Sequence, residues 1–162
     1  MKKTIALLLS VLTVIGIVSA GFSPMHIHAH AESEVLRWND FEYTVKNGEA
    51  CIVKYYDREY RSEYQTIPDT LGGYPVTSIG REAFAESNHV VSFTIPESIK
   101  SIGDMAFRHC ELLRRVEIKG NLDSIGYGAF MVCKKLTTII LPEIVRSIGK
   151  YSTRQGKRSG LI

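Results

Sequence analysis

Three histidines near the N-terminus have the spacing that most suggests chemistry. His26, His28 and His30 alternate along the chain, so in an extended strand their imidazoles would share one face at a spacing that suits a divalent cation. These histidines remain only if an export signal is removed after Ala20. We place the removal after Ala31, which discards all three, and we therefore predict neither a metal site nor a cofactor.

The first residues have the features of an export signal. A basic start is followed by an uncharged apolar run at residues 5–18, which is shorter than the roughly 20 residues of a membrane span. Two small-x-small cleavage sites follow, ending at Ala20 and Ala31. Because the second site precedes a charged segment, we interpret residues 1–31 as a cleaved signal peptide. We expect the mature protein to be secreted or held at the cell surface, with no membrane span.

No candidate nucleophile, base and orienting residue occur together in a catalytic motif. The chain has no GxSxG, no phosphate-binding glycine loop and no HExxH. We interpret His89 and His109 as surface residues, and Asp57 with its charged neighbours as a solvated loop. The sequence therefore predicts no catalytic residues and no enzymatic activity.

The charge distribution argues against a nucleic-acid partner. The whole chain has 20 basic and 17 acidic residues, a formal net charge of +3. Residues 32–149 alone carry a net charge of −3, because the basic surplus lies at the two ends. The body of the protein therefore has no basic field that would attract nucleic acid.

A repeat with a period of 23 residues dominates the remaining sequence. The motif Ser-Ile-Gly-x-x-Ala-Phe begins at Ser78, Ser101 and Ser124, and a fourth start at Ser147 lacks the Ala-Phe pair. Further apolar slots keep the same phase: Val90, Leu113 and Leu136; Phe93, Val116 and Ile139; Ile95, Ile118 and Leu141. Because one unit is too small to bury its own apolar residues, successive units must stack as the coils of a solenoid.

Each part of the unit has a predicted role in the stack. The alternating apolar slots predict a short strand that pairs in parallel with the same strand of the next coil. The Ala-Phe stretch predicts a short helical turn, in which Phe84, Phe107 and Phe130 stack as a ladder. Gly103 and its equivalents mark a corner where a side chain would clash or where φ must be positive.

Cys110 and Cys133 occupy the same slot in consecutive units, so their Cα atoms should lie roughly 5 Å apart, within disulfide range. We favour free, buried thiols, because the slot points inward beside the phenylalanine ladder and Ser87 fills it in the first unit. A disulfide between the two is the alternative. Cys51 has no evident partner, and no cysteine spacing matches a zinc site.

The pattern Ile-Pro-x-x-Ile-x-x-Ile-Gly-x-x-Ala-Phe-x-x-Cys-x-x-Leu resembles the leucine-rich repeat of the bacterial surface-antigen type, called BspA-like. The resemblance covers about residues 39–149, and residues 67–80 match the longer first coil of that family. It implies a right-handed horseshoe or arc, carried by exported bacterial proteins and linked to adhesion and protein binding. It implies no catalytic residues. Lys119-Gly120 and the fourth unit depart from the pattern.

The segment before the repeats predicts a cap. Two extended, alternating runs flank Asn47-Gly48, a strong signal for a β-hairpin that would cover the first coil. We therefore divide the mature chain into a hairpin cap with a first irregular coil (32–77), leucine-rich repeats of 23 residues (78–149) and a basic, disordered tail (150–162). The tail is either native or a truncated repeat.

The outward residues of the short strands should line up across coils in two rows. These rows should form the concave wall, which solenoids commonly use for binding, although a merely solvated sheet face is the alternative. The predicted ligand-binding residues are Tyr64, Ser92, Arg115 and Thr138 in one row, and Thr66, Thr94, Glu117 and Ile140 in the other.

Together these features predict a leucine-rich-repeat solenoid with short parallel strands, short helical turns and an N-terminal hairpin cap. We expect a non-catalytic recognition or adhesion module whose partner is an extracellular protein or polysaccharide. One alternative is a structural or accessory segment, or a truncated fragment, of a larger extracellular protein. Another is an extracellular metal binder, if cleavage occurs after Ala20.

Overall fold

A computed structural model describes residues 34–58 and 62–152 of the chain. These residues form short β-strands joined by turns, and none of them lies in a helix. The strands are β1 (Val35–Trp38), β2 (Phe41–Lys46), β3 (Glu49–Tyr55), β4 (Tyr64–Thr66), β5 (Thr70–Leu71), β6 (Tyr74–Ile79), β7 (Ser92–Ile95), β8 (Ser101–Ile102), β9 (Arg115–Ile118), β10 (Leu122–Ile125), β11 (Thr138–Ile140) and β12 (Val145–Ile148).

The strands form two sheets, between which the chain alternates as it winds. The long sheet has the order β1-β2-β3-β6-β8-β10-β12, with β5 attached to β6, and the short sheet has the order β11-β9-β7-β4. Every strand pair between coils is parallel, with equivalent residues of successive units facing each other. The structure is therefore a β-solenoid of stacked 23-residue coils, which confirms the predicted fold.

A stack of aromatic rings runs through the interior. The ring centroids of Phe84 and Phe107 lie 4.9 Å apart, and those of Phe107 and Phe130 lie 5.2 Å apart, in nearly parallel planes. Tyr55 of β3 continues the stack at 5.1 Å from Phe84. The predicted phenylalanine ladder is thus present, and the cap supplies its first ring.

The prediction of a short helical turn around each Ala-Phe pair is wrong. Glu82, Met105 and Tyr151 have φ near +60°, the left-handed region, and Gly128 has the same backbone at the same slot of its coil. A left-handed residue at this slot breaks the run of right-handed residues that a helix needs. The amides of the turn therefore alternate in their acceptors: the Ala85 N–H donates within the turn, to the Glu82 carbonyl, whereas the amides on either side of it donate to the next coil.

Amide groups of the turn form a second ladder between coils. The N–H of Phe84 donates to the carbonyl of Ala106, that of Phe107 to Ala129 and that of Phe130 to Ser152, each at 2.8 Å. The buried turn thereby satisfies its backbone donors through the next coil, as a buried backbone must. Residues 150–152 continue this ladder in the last described turn.

The corner glycines are explained by close approach between coils, not by a positive φ. A Cβ added at Gly103 would lie 2.7 Å from the backbone carbon of Gly80, and one at Gly126 would lie 2.5 Å from that of Gly103. Real Cβ atoms do not approach backbone this closely, so only glycine lets the coils stack at this corner.

The N-terminal strands form the predicted hairpin and extend the long sheet. Asn47 and Gly48 both have positive φ, +54° and +79°, as the type I′ turn of a two-residue hairpin requires. Strand β3 then pairs in parallel with β6, with a register shift between Ala50 and Cys51. Tyr43 and Tyr55 are buried on the core side, so the hairpin closes one end of the interior.

At the other end of the stack, the last described coil exposes residues whose equivalents are buried in earlier coils. Ile148 of β12 is 52% exposed, whereas the equivalent Ile102 and Ile125 are 1% and 2% exposed. Leu141 is also exposed, although the equivalent Ile118 is buried. The last described coil therefore presents core-type side chains that no further described coil covers.

Replacing Phe107 by alanine should lower the free energy of unfolding by about 3–5 kcal/mol, because the fully buried ring contacts rings on both sides. Denaturant titration followed by circular dichroism measures this change. The control Leu112→Ala removes a side chain that is already exposed and should cost less than about 1 kcal/mol. Equal losses in the two variants would contradict a shared ring stack.

Candidate functional site

The eight predicted binding residues lie on one face of the short sheet, which we call the short-sheet face. Strand pairing places Tyr64, Ser92, Arg115 and Thr138 opposite one another in the first row. The same pairing places Thr66, Thr94, Glu117 and Ile140 opposite one another in the second row. The structure thus brings all eight together in the predicted rows, and whether they bind a ligand stays a prediction.

The alternation along each strand explains why these residues face outward. Phe93 and Val116, which lie between the two rows, are fully buried in the core. Side chains on either side of them must then point to the opposite face. Adjacent strands are about 4.8 Å apart, so the four strands span about 14 Å.

Each edge strand of the short-sheet face exposes one large hydrophobic residue, and β9 between them carries a charged cluster. Tyr64, at the β4 edge, is 71% exposed, and Ile140, at the β11 edge, is 38% exposed. Between them, an Arg115 Nη2 atom lies 3.6 Å from Glu117 Oε2, and the Lys119 ammonium contacts Glu117 Oε1. The face therefore offers two apolar contacts flanking a cluster of three charges.

The three charged side chains contact one another through a hydrogen bond and an ion pair, and a ligand could replace either contact. The pKa of the Glu117 carboxyl lies below its ordinary value, chiefly because Lys119 donates a hydrogen bond to it, and Arg115 adds to the effect. Glu117 is therefore negatively charged well below neutral pH. Exposed ion pairs contribute little to stability, so the cations of this cluster can be redirected to a partner at small cost.

Cys110 and Cys133 are in the thiol form, and neither side chain is exposed to solvent. The Cys110 Sγ donates to the Phe84 carbonyl at 3.2 Å, and the Cys133 Sγ donates to the Phe107 carbonyl at 3.0 Å. In the first unit Ser87 fills the slot and donates to the Phe84 carbonyl as well. The pKa of Cys110 is raised, chiefly by its hydrogen bond with Cys133 and then by burial, so this thiol is neutral and unreactive.

Asp57 is not the solvated loop residue that the sequence suggested. Its side chain is only 10% exposed, and its Oδ2 accepts hydrogen bonds from the backbone N–H of His89 at 2.8 Å and from the ring Nδ1 at 3.2 Å. The aspartate thus ties the end of the cap to the first coil. Its role in the described structure is to join these two parts.

An open cleft of about 400 Å³ lies beside the hairpin tip, on the outer side of the long sheet. Its position depends on the register of β3 against β6, which places the half-buried Cys51 opposite Ser78. No sequence signal reveals this register, because it includes an irregularity. The cleft is lined by Thr44, Lys46, Asn47, Glu49, Cys51, Thr77 and Ser78.

The histidine motif, the predicted signal peptide and residues 153–162 of the predicted tail lie outside the described residues. Within 34–58 and 62–152, no group of three or more His, Cys, Asp or Glu side chains could hold a metal ion. The part of the chain that the structure describes also contains no helix with the length and apolar character of a membrane span.

The fold and the repeat define the class of protein as a bacterial-type leucine-rich-repeat solenoid. The BspA type leucine-rich repeat region matches residues 61–157 in 6 copies, which is more than half of the chain. The chain therefore belongs to the BspA-type leucine-rich repeat family, as its motif predicted. No curated protein matches the chain.

Solved structures of bacterial leucine-rich-repeat proteins are similar to this chain. A leucine-rich cell surface protein from Faecalibacterium prausnitzii is 31% identical, with a TM-score of 0.62, over 71% of this chain and 32% of that one. A leucine-rich repeat protein from Bacteroides capillosus is 32% identical, with a TM-score of 0.64, over 70% of this chain and 86% of that one. The chain thus spans about a third of the Faecalibacterium protein.

A more distant neighbour supports the fold alone. The leucine-rich repeat protein of T. pallidum is 23% identical, with a TM-score of 0.53, over 75% of this chain and 67% of that one. The two proteins therefore share the coil architecture at low sequence identity.

In the folded protein we expect a thiol reagent such as Ellman's reagent to modify Cys51, and to modify Cys110 and Cys133 only after unfolding. The reason is that Cys51 is partly exposed at the cleft, whereas the other two are enclosed in the core. Peptide mapping after alkylation identifies the modified residues. A Cys110–Cys133 disulfide in the purified protein, or labelling of either residue in the native state, would contradict this assignment.

Proposed function

We propose that this protein is an exported, non-catalytic recognition or adhesion module that binds an extracellular protein or polysaccharide. Membership of the BspA-type family and likeness to a bacterial cell surface protein support this function. The basic start and the apolar run at residues 5–18 support export. The partner would bind at the short-sheet face, whose eight residues form two continuous outward rows.

The observation that carries the proposal is the mixture of groups on this face. Tyr64 and Ile140 offer exposed apolar contacts, and Arg115, Glu117 and Lys119 offer charges of both signs. Protein partners are recognised by apolar anchors combined with complementary charges, whereas sugar rings are usually held on aromatic faces. The face has a single aromatic side chain among its eight residues, so of the two partner classes an extended protein segment fits better.

We propose a non-catalytic role because of the surroundings of the described cysteine and histidine side chains. The Cys110 thiol is enclosed and kept neutral, so a substrate cannot reach it as a nucleophile. His89 donates to Asp57 at the junction between the cap and the first coil, where both act in a structural contact. Neither arrangement positions a nucleophile beside a base.

A second candidate function is an accessory segment of a larger extracellular protein. The observation that favours it is that the chain corresponds to about a third of the Faecalibacterium cell surface protein. In that role the solenoid would act as a spacer, and the short-sheet face would be a solvated surface without a ligand.

A binding screen with one charge reversal tests the proposal. Immobilised extracellular-matrix proteins and plant and microbial polysaccharides would be probed with the parent chain and with Arg115→Glu. We expect at least one protein ligand, whose affinity falls at least about tenfold in the variant because the reversal changes the charge at the centre of the face.

The matched control is Lys100→Glu, which makes the same change of charge on an exposed residue of the neighbouring coil, next to β8 of the long sheet. This control should bind as the parent does. Unchanged binding of Arg115→Glu, or an equal loss in Lys100→Glu, would exclude the short-sheet face as the site. Binding to no probe would favour the accessory function.

A further inference from the structure

The cleft beside the hairpin tip lies where the cap departs from the regular stacking of the coils. Ala50 of β3 pairs with Val76 of β6. The next residue, Cys51, pairs with Ser78 instead of with Thr77. Thr77 is therefore an extra residue on β6, as in a β-bulge, a feature that redirects side chains and is frequent next to binding sites. The cleft holds about 400 Å³, within the range of about 300–1,000 Å³ that is usual for small-molecule sites.

The walls of the cleft carry hydrogen-bonding groups that are available to a ligand. The side chains of Thr44, Asn47 and Ser78 line the cleft and form no hydrogen bond with another described residue. A hydroxyl can donate one hydrogen bond and accept two, and a side-chain amide both donates and accepts. A ligand that carries donors and acceptors close together would therefore be complementary to these walls.

The two charged groups of the cleft have opposite signs, so the cleft has no net charge. Lys46 and Glu49 face each other across the hairpin, yet they form no ion pair with each other in the described structure. Glu49 instead accepts a hydrogen bond from the Thr77 hydroxyl at 3.3 Å. A phosphate or another strongly charged ligand would gain little from such a balanced site. A metal ion would need more oxygen ligands than this single carboxylate supplies.

We propose that this cleft binds a neutral sugar residue. No aromatic or large aliphatic side chain lines it, so a hydrophobic ligand would bury little apolar surface there. A pyranose carries several hydroxyls, each of which can donate and accept, and it thereby matches the hydroxyl and amide groups of the walls. The cleft belongs to the long sheet and not to the short-sheet face, so this site does not depend on the proposed function.

Binding at this open site should be weak, because each hydrogen bond to the sugar replaces one to water. Since the net gain per hydrogen bond is modest, a few of them give a Kd of about 1 mM. The cleft also lacks the aromatic face on which sugar rings are usually held. A sugar concentration of about 20 mM would then fill about 95% of the sites.

Cys51 provides the readout, because its half-buried thiol lines the cleft and a bound sugar should shield it. The test measures how fast Ellman's reagent modifies the folded protein, with and without about 20 mM glucose, galactose, mannose or N-acetylglucosamine. We expect at least one of these sugars to slow the reaction at least about fivefold. Cys110 and Cys133 do not contribute to the signal, because both are enclosed in the core.

Conservative variants locate the site. Thr44→Val and Ser78→Ala each remove one hydroxyl, so each should raise the sugar concentration that gives half-protection at least about threefold. This concentration does not depend on the rate without sugar, so a changed reactivity of the neighbouring Cys51 does not affect it. The matched control is Ser101→Ala, at the same slot of the next coil but outside the cleft, which should be protected as the parent is.

A modification rate that none of the four sugars changes overturns the proposal. So does protection by the same concentration of glycine without protection by any sugar, since that result assigns the cleft to a zwitterion held between Lys46 and Glu49. Protection that Ser101→Ala weakens as much as Ser78→Ala places the sugar outside the cleft. An equal slowing of the reaction with free cysteine also contradicts the proposal, because the sugar then acts on the reagent.

Discussion

Contact between successive coils is the constraint on which the rest of this structure depends. A coil of 23 residues has no second layer of its own against which to bury its apolar side chains. The rings of Phe84, Phe107 and Phe130 are buried only because each lies against the ring of the next coil. The amides of the same residues are satisfied only through the next coil's carbonyls. Stability therefore belongs to the stack and not to any single unit.

A stack of this kind has two ends and two outer faces, and the protein treats them differently. At one end the hairpin supplies Tyr55 as a terminal ring and closes the interior. At the other end Ile148 and Leu141 remain exposed in the last described coil. The side chains on the outer faces of the sheets do not fill the core, because the core is built from the inward residues. Arg115, Glu117 and their neighbours therefore take no part in core packing.

Much of this architecture could be predicted from the repeat alone. The 23-residue period fixed which residues face each other across coils, and so the ring ladder, the shared slot of Cys110 and Cys133 and the two rows of the short-sheet face. The turn conformation could not be predicted in this way. Alanine, glutamate and arginine around Phe84 have good helix propensity, but hydrogen bonding to the next coil decides the backbone. The burial of Asp57 and the cleft beside Cys51 depend on how an irregular cap meets the first coil, which no repeat encodes.

Amide hydrogen exchange at Phe84 and Phe107 tests the central claim most directly. If coils are stable only as a stack, both amides should exchange through global unfolding, with the same free energy and the same dependence on denaturant. Phe107→Ala should then lower that free energy at Phe84 as well as at its own position. Rapid exchange at either amide in the parent protein would contradict the account, and so would different free energies for the two.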